Sequence, residues 1–178
     1  MISPRGRESG TRIRPAFCAG ANQQAQQIMK DSKLKREEMV KLLNEDLARE
    51  YQAIIAYTVY SQTIKGAAFT DIARELATHA AEELDHALQI AKQIDYFNGT
   101  PITVPLAVKM SDDPKAMLRF DLENEKDTII NYRQRIRQAE AMGEFALSEV
   151  LRRIIAQEQE HLTDLADALG IDNPVIEE

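Results

Sequence analysis

The sequence lacks tryptophan and has only seven glycines, six prolines and one cysteine, Cys18, among its 178 residues. Because glycine and proline form most turns, their scarcity predicts few turns and long helices, and argues against an all-β protein. One cysteine cannot form an internal disulfide, and it excludes zinc or iron–sulfur sites built from several cysteines. We therefore expect a reducing compartment, the cytoplasm, or else a protein that is indifferent to the redox state of its compartment. No apolar run approaches the roughly 20 residues of a membrane span, so we expect no membrane partner.

The first 30 residues differ in charge from the rest of the chain. They hold five basic residues against Glu8 alone, a charge of +4, so that with a total of −7 the remaining residues carry −11. The segment lacks apolar periodicity, which predicts a disordered basic arm over residues 1–30. An organelle transit peptide, a true start at Met29 and a DNA-binding arm are the alternatives for it. The acidic remainder disfavours nucleic acid as a partner and favours cations.

From Asp31 onward, apolar residues recur at spacings of three and four, which predicts amphipathic helices. Four helices are expected, at about 31–64, 70–98, 111–140 and 144–169. We expect Thr70 as the N-cap of the second helix and Gly99 at its C′ position.

The lengths of the connections predict the topology. Short breaks join the first helix to the second and the third to the fourth, so each pair should form an antiparallel hairpin. About 15 residues separate the two hairpins and can span roughly 50 Å, more than the roughly 42 Å of a 28-residue helix. The prediction is an all-α, ferritin-like four-helix bundle over residues 31–170, with one long crossover between two hairpins. A short C-terminal tail, residues 171–178, follows it.

Each predicted apolar stripe is interrupted by a glutamate. The four interruptions are Glu50, Glu83, Glu125 and Glu158. The second and fourth begin a Glu-x-x-His motif ending at His86 and His161, and positions i and i+3 share a helix face. In each hairpin the two glutamates are 33 residues apart and equidistant from the turn, so they should lie level. All six side chains are therefore expected to converge at mid-height of the bundle.

Such a cluster needs compensating charge. Burying one unpaired carboxylate costs several kcal/mol, and no lysine or arginine lies on these stripes. Two divalent cations would balance four carboxylates, and mixed oxygen and imidazole donors suit iron or manganese. The same ligand set occurs in di-iron and di-manganese helix bundles. The alternative is a solvated bundle whose glutamates and histidines face water.

Residues 35–170 resemble bacterioferritins and closely related ferritin-like proteins. The resemblance is carried by residues 43–50 with Tyr57, by 83–86, by 118–125 and by 158–161. It implies that Glu50 and His86 end one iron site, that Glu125 and His161 end the other, and that Glu83 and Glu158 bridge them. It further implies that these six residues catalyse oxidation of Fe(II) by O2 or H2O2, and that ferric oxide is stored inside a hollow homo-oligomeric shell.

Three further residues are candidates for supporting roles. Asp121, one turn before Glu125, could accept the second ring N–H of a ligating histidine, or could be an ordinary acid near a helix N-terminus. Tyr57 lies two turns after Glu50; the resemblance suggests a redox-active or hydrogen-bonded tyrosine, and a core aromatic is the alternative. His79, one turn before Glu83, is interpreted as a support or iron-entry residue, or as a satisfied core polar group.

The sequence departs from the family pattern in two places, one that concerns haem binding and one that concerns the number of subunits. Bacterioferritins bind haem through a methionine directly after the first bridging glutamate, and Leu84 stands there, so no haem is expected by that mode. The tail is too short for the fifth helix of 24-subunit cages, which favours a 12-subunit shell, or a smaller oligomer, over 24 subunits. The alternative functions are another di-metal enzyme, such as a manganese catalase or peroxide reductase, and a DNA-protecting mini-ferritin that uses residues 1–30.

Overall fold

A computed structural model of the protein describes residues 34–177, and it contains four long helices. These are α1 (Arg36–Thr63), α2 (Thr70–Tyr96), α3 (Pro114–Met142) and α4 (Phe145–Leu169), with one 3₁₀ turn, Ala67–Phe69, between the first two. No strand occurs among the described residues, so the all-α prediction is confirmed. No helix within 34–177 is long and apolar enough to cross a membrane. The predicted arm, residues 1–30, lies outside the described residues.

The first helix starts at Arg36, about five residues later than predicted, and the predicted N-cap of the second helix is wrong. Leu34 and Lys35 precede the first helix, whose first turn is closed by the Lys35 backbone N–H donating to the Glu38 carboxylate at 2.9 Å. Thr70 is not the N-cap of α2, because the 3₁₀ turn runs directly into the helix and makes Thr70 its first residue. Its hydroxyl donates back to the Ala67 carbonyl at 3.2 Å instead of capping a free backbone N–H.

The end of α2 uses Asn98, not Gly99, as its left-handed residue. Asn98 has φ of 61°, and the Gly99 N–H donates to the Ile94 carbonyl at 2.9 Å, which completes a Schellman motif. The predicted C′ role of Gly99 is therefore wrong. Gly99 is required for a different reason, since a Cβ at this position would lie 2.5 Å from a methyl carbon of Val40.

The segment between α2 and α3 runs along α1, as expected for the crossover. Its contacts with α1 follow chain order: Asn44 donates to the Thr100 carbonyl at 3.1 Å, Leu106 donates to the Ala48 carbonyl at 3.1 Å, Gln52 donates to the Ala107 carbonyl at 2.6 Å, and Tyr60 donates to the Lys109 carbonyl. The tight α3–α4 turn is closed by Gly143, with φ of 81°. Two hairpins joined by one long crossover are confirmed.

Two apolar clusters fill the bundle, one towards each end. The first packs Met39, Leu43, Leu47, Ile90, Ile94, Phe97, Ile136, Leu147, Leu151 and Ile154. The second packs Tyr60, Ile64, Leu76, Met117, Leu118, Leu122, Ile129, Leu162 and Leu165. All of these side chains are buried. A layer of charged side chains lies between the two clusters, where an apolar core would otherwise be continuous.

One buried ion pair lies outside that charged layer. Arg135 on α3 donates through Nε and Nη2 to Asp46 on α1, at 2.7 and 3.1 Å, and both side chains are nearly inaccessible to solvent. A buried arginine was not expected from the sequence. Because Asp46 takes both of these donors, Arg135 forms a bidentate bridge between α1 and α3.

Candidate metal centre

Six acidic and imidazole side chains meet at mid-height of the bundle, one or two from each helix. They are Glu50, Glu83, His86, Glu125, Glu158 and His161, and none is more than 3% exposed. His86 Nδ1 lies 3.1 Å from Glu83 and 3.2 Å from Glu158, while His161 Nδ1 lies 2.9 Å from Glu83 and 3.3 Å from Glu158. The structure thus brings together every residue of the predicted set.

The cluster divides into two overlapping groups of four. One contains Glu50, Glu83, His86 and Glu158, and the other contains Glu83, Glu125, Glu158 and His161; within each group the nearest ligand atoms all lie within 4.8 Å of one another. Glu83 and Glu158 belong to both groups. The geometry therefore offers two adjacent four-donor positions that share two carboxylates.

Several of the buried oxygen and nitrogen atoms that could bind metal have no well-formed hydrogen bond. Glu50 Oε2, Glu83 Oε1, both carboxylate oxygens of Glu158 and Nδ1 of His161 are in this state. Buried polar atoms are normally paired, so a group of them pointing at one another indicates a missing partner. Oxygen and nitrogen donors in this arrangement fit two first-row dications.

Burial and the neighbouring charges shift the pKa values of four groups in the cluster. Burial raises the pKa of Glu50 and Glu125 well above the ordinary range, and the nearby carboxylates of Glu83 and Glu158 raise both further. Burial alone would lower the pKa of both histidines. Contacts with Glu158 and Glu83 outweigh that effect, raising the pKa of His86 strongly and that of His161 to about 12. In the absence of metal, burial and the neighbouring carboxylates therefore favour the protonated forms of Glu50, Glu125 and both histidines.

Two tyrosines hold the outer carboxylates across the bundle. Tyr57 on α1 donates to Glu125 on α3, and Tyr132 on α3 donates to Glu50 on α1; all four side chains are buried. The structure thus places Tyr57 beside the cluster, hydrogen-bonded to one of its carboxylates. Tyr132 was missed, although it follows Glu125 by seven residues as Tyr57 follows Glu50. The sequence signal was therefore present in the repeat of the two hairpins.

The outer nitrogens of the two histidines are held by residues not predicted from sequence. His86 Nε2 donates to Gln157 at 3.0 Å, and His161 Nε2 donates to Glu82 at 3.0 Å. Gln157 also donates to Glu82 at 3.3 Å. The predicted role of Asp121 as this acceptor is wrong, because α2 and α4 pack side by side and the residue before each bridging glutamate meets the histidine of the other helix.

Asp121 and His79 were both predicted to support the cluster, and they differ in their contacts with it. Asp121 is 2% exposed. Burial is the larger cause of the raised pKa of Tyr60, and the nearby carboxylate of Asp121 raises it further. His79 stacks on His161, with ring centroids 4.1 Å apart, and its Nε2 faces Asp164 at 3.2 Å. Burial and the neighbouring His161 lower the pKa of His79. His79 is therefore in direct contact with the cluster, whereas Asp121 bonds to neither histidine.

A cavity of about 300 Å³ leads from the surface to the cluster. It touches all four glutamates and is bordered by the crossover at Leu106 and Ala107 and by Asn124 and Thr128 of α3. The volume is at the lower limit for small-molecule sites. The cavity is therefore large enough for ions, water and other small molecules.

Comparison with known proteins agrees with this architecture. Residues 40–173 match the ferritin-like domain family. The bacterioferritin of Brucella melitensis is 22% identical over 134 residues, which cover 75% of this chain and 83% of that protein. The family match includes all six clustered side chains and reaches into all four helices.

Solved structures give the same result. A ferritin-like, diiron-carboxylate protein from Bacillus anthracis superposes with a TM-score of 0.73 and 35% identity, covering 75% of this chain and 96% of that one. A dodecameric thioferritin, the bacterioferritin-related protein of Bacteroides fragilis, superposes with a TM-score of 0.72 and 25% identity, covering 83% and 93%.

Proposed function

The chain belongs to the ferritin-like domain family, and on that premise we propose that it oxidises Fe(II) with O2 or H2O2 and stores or detoxifies the ferric product. The observation that carries the proposal is the pair of overlapping four-donor groups that share Glu83 and Glu158. Two such positions, a few Å apart, suit a reaction in which two metal ions each supply one electron to one oxidant.

The ligand assignment follows from the two groups. Glu50 and His86 would hold one ion, Glu125 and His161 the other, and Glu83 and Glu158 would bridge them. The donor set also accepts manganese. When bound, the two ions would supply the electrons for reducing the oxidant. The protein binds the ions, orients the donors and excludes bulk water.

The surrounding hydrogen bonds would keep the donors in place as the charge of the ions changes. Tyr57 and Tyr132 donate to the two outer carboxylates, and Glu82 and Gln157 fix which ring nitrogen of each histidine faces the centre. Fixing the outer nitrogen sets the tautomer and orientation of a ligating imidazole. Nδ1 of both histidines is thus the atom that would bind metal.

The proposed function includes assembly of the chain into a homo-oligomeric shell. The likeness to a dodecameric thioferritin and to bacterioferritins supports a homo-oligomeric shell, with 12 subunits favoured over 24. Leu84 and Leu88 on α2 are 51% and 62% exposed, an apolar pair suited to a subunit contact.

We propose no haem at Leu84, because a leucine side chain offers no sulfur to iron. A cytoplasmic location fits iron handling by a chain with one cysteine.

Anaerobic loading with Fe(II) followed by oxygen tests the function. Glu83→Gln and Glu158→Gln each remove a shared donor, so fast oxidation, followed by ferric absorbance, should fall by about 100-fold or more relative to the unmodified protein. Glu123→Gln is the matched control, since Glu123 lies on α3 with its side chain 63% exposed. Unchanged rates in either bridge variant would overturn the proposal.

A further inference from the structure

The two sides of the metal centre differ in how they are closed. On the α2–α4 side, the rings of His86 and His161 fill the space, and each ring is hydrogen-bonded to a side chain of the opposite helix. On the α1–α3 side, a cavity of about 300 Å³ reaches all four glutamates. The α1–α3 side is therefore the one with room for a further molecule beside the centre.

The two helices that line this cavity contribute equivalent positions of the two hairpins. Residues 75 positions apart in the chain are equivalent, as Glu50 and Glu125 are. The residue directly before each of these glutamates lines the cavity, and it is Arg49 on α1 and Asn124 on α3. The fold does not require a charge at this place, since the second hairpin has a neutral amide there. The first hairpin thus adds a cation to the cavity wall.

Arg49 has an unsatisfied hydrogen-bond donor. Its Nε is buried, and no residue within 34–177 accepts a hydrogen bond from it. Asp46, one turn earlier on α1, accepts its two hydrogen bonds from Arg135 instead. Buried donors are normally paired, and a guanidinium matches the two oxygens of a carboxylate or a phosphate. Arg49 is therefore suited to hold an oxyanion from solution.

The crossover brings a second cation, Lys109, to the same cavity. Tyr60 donates to the Lys109 carbonyl, and Gln52 donates to the Ala107 carbonyl at 2.6 Å, so two bonds from α1 hold this part of the crossover in place. The Lys109 ammonium lies 5.5 Å from the centroid of the Phe120 ring, within the range of a cation–π contact. Lys109 is exposed, so it lies at the solvent end of the cavity.

The charge of the cavity wall favours an anion once the glutamates are compensated. Apart from the four glutamates, the charged residues of the wall are Arg49, Lys109 and Asp127, with a net charge of +1. Two divalent ions at the centre would balance the four glutamates and leave this surplus. A concave surface with a positive surplus attracts anions. The metal-loaded protein should therefore bind an anion more tightly than the metal-free protein.

We propose that Arg49 and Lys109 form a binding site for a small oxyanion, a phosphate or a carboxylate, in the cavity on the α1–α3 side of the centre. The site stands on the two cations and the cavity, and the contribution of bound metal rests on the proposed function. A phosphate has oxygens for both cations, whereas a small carboxylate has only the two that a guanidinium takes. Phosphate should therefore bind more tightly than acetate.

Calorimetric titration at pH 7 tests the site, with phosphate and acetate as separate probes. The protein is first loaded with Co(II), a dication with the charge of Fe(II), and freed of excess metal. The unmodified protein should bind a single anion per chain, and R49Q/K109Q should bind it about tenfold or more weakly. The control R153Q/K65Q removes the same charge from exposed side chains elsewhere and should bind the anion as the unmodified protein does.

A second variant tests the site without metal. E50Q/E83Q/E125Q/E158Q removes the four negative charges at the inner end of the cavity and leaves the wall at +1. Once circular dichroism has shown that it is helical, this variant should bind phosphate in the absence of any metal. Adding R49Q/K109Q to it should weaken that binding by about tenfold or more.

The outcomes separate the anion site from the proposed function. Equal anion binding by R49Q/K109Q and by R153Q/K65Q would overturn the site, because the metal alone would then hold the anion. Absence of binding of both probes to the loaded protein would overturn it as well. If the unmodified protein took up no Co(II), the proposed function would fail, and phosphate binding by the four-glutamine variant would still decide the anion site.

Discussion

Tyr132 on α3 donates its hydroxyl hydrogen bond to Glu50 on α1, the helix of the other hairpin. Tyr57 makes the reciprocal bond, from α1 to Glu125 on α3. Each outer carboxylate of the centre is therefore held by a tyrosine of the opposite hairpin. Assembly of the centre and docking of the two hairpins are consequently linked, since neither carboxylate is held until both hairpins are in place.

Removing either tyrosine hydroxyl should lower the stability of the metal-free protein. Tyr57→Phe and Tyr132→Phe each leave a buried carboxyl without its donor, which should lower the free energy of unfolding by about 1–3 kcal/mol. Urea denaturation of the metal-free protein measures this. Tyr96→Phe is the control, because Tyr96 is 58% exposed, and it should be nearly neutral. No difference between the buried and exposed tyrosines would contradict the role of these bonds.

The stability of the metal-free protein should fall as pH rises from about 5.5 to 8. In the folded chain the pKa values of Glu50 and Glu125 lie well above their ordinary 4.5, and those of His86 and His161 lie above 6.5. The folded state therefore keeps protons that the unfolded state has released, and its advantage shrinks as pH rises through that interval. The lowered pKa of Glu83 acts oppositely, so stability is also lost below about pH 4.5.

Thermal unfolding of the metal-free protein between pH 4 and 8 measures this dependence. The metal-loaded protein should behave in the opposite way over the same interval, because metal binds the deprotonated donors and gains affinity as pH rises. Parallel pH profiles with and without metal would count against a buried, proton-compensated centre.

Metal binding should release protons. The raised pKa values of His86, His161, Glu50 and Glu125 favour their protonated forms in the metal-free protein, so filling both positions should release protons, up to four per chain. Calorimetric titration with Co(II) in buffers of different ionisation enthalpy counts them. Glu50→Gln should lower the count by about one. Binding without proton release would show that the donors are already free, contrary to their burial.

The Asp46–Arg135 bridge predicts a stability effect that is independent of metal. Asp46→Ala leaves the Arg135 guanidinium buried without its main partner, which should cost about 3–5 kcal/mol. Replacing both residues, in the double variant D46L/R135M, should recover most of the loss because two apolar side chains need no partner. Chemical denaturation measures both variants. A small cost for D46A alone would mean that water reaches the arginine.

The sequence predicted the helices and the six donors for a clear physical reason. A glutamate in an apolar stripe, as at Glu50 or Glu158, conflicts with burial, and such a conflict is visible without a structure. The matched spacing within each hairpin then placed these residues at one level. Tyr132 was not found because a tyrosine in such a stripe resembles ordinary core, and only comparison with Tyr57 in the other hairpin distinguishes it.

The hydrogen-bond partners of the two histidines could not be predicted from the sequence, because they depend on how the helices pack against one another. Glu82 and Gln157 are partly exposed, so nothing in their own helix distinguishes them from surface residues. Their contact with the histidines follows from the packing of α2 against α4. Asp121 was chosen for its sequence position near Glu125, but both histidines lie on other helices. Helix periodicity gives the face of a residue, whereas its neighbours depend on tertiary packing.

The most direct test of the account is a crystal structure of the protein soaked anaerobically in Fe(II), with anomalous scattering recorded at the iron edge. Two strong peaks per chain are expected about 3.5–4 Å apart, each bonded to both Glu83 and Glu158. One peak should also be bonded to Glu50 and His86, and the other to Glu125 and His161. A single peak at mid-bundle, or none within bonding distance of the six side chains, would contradict it.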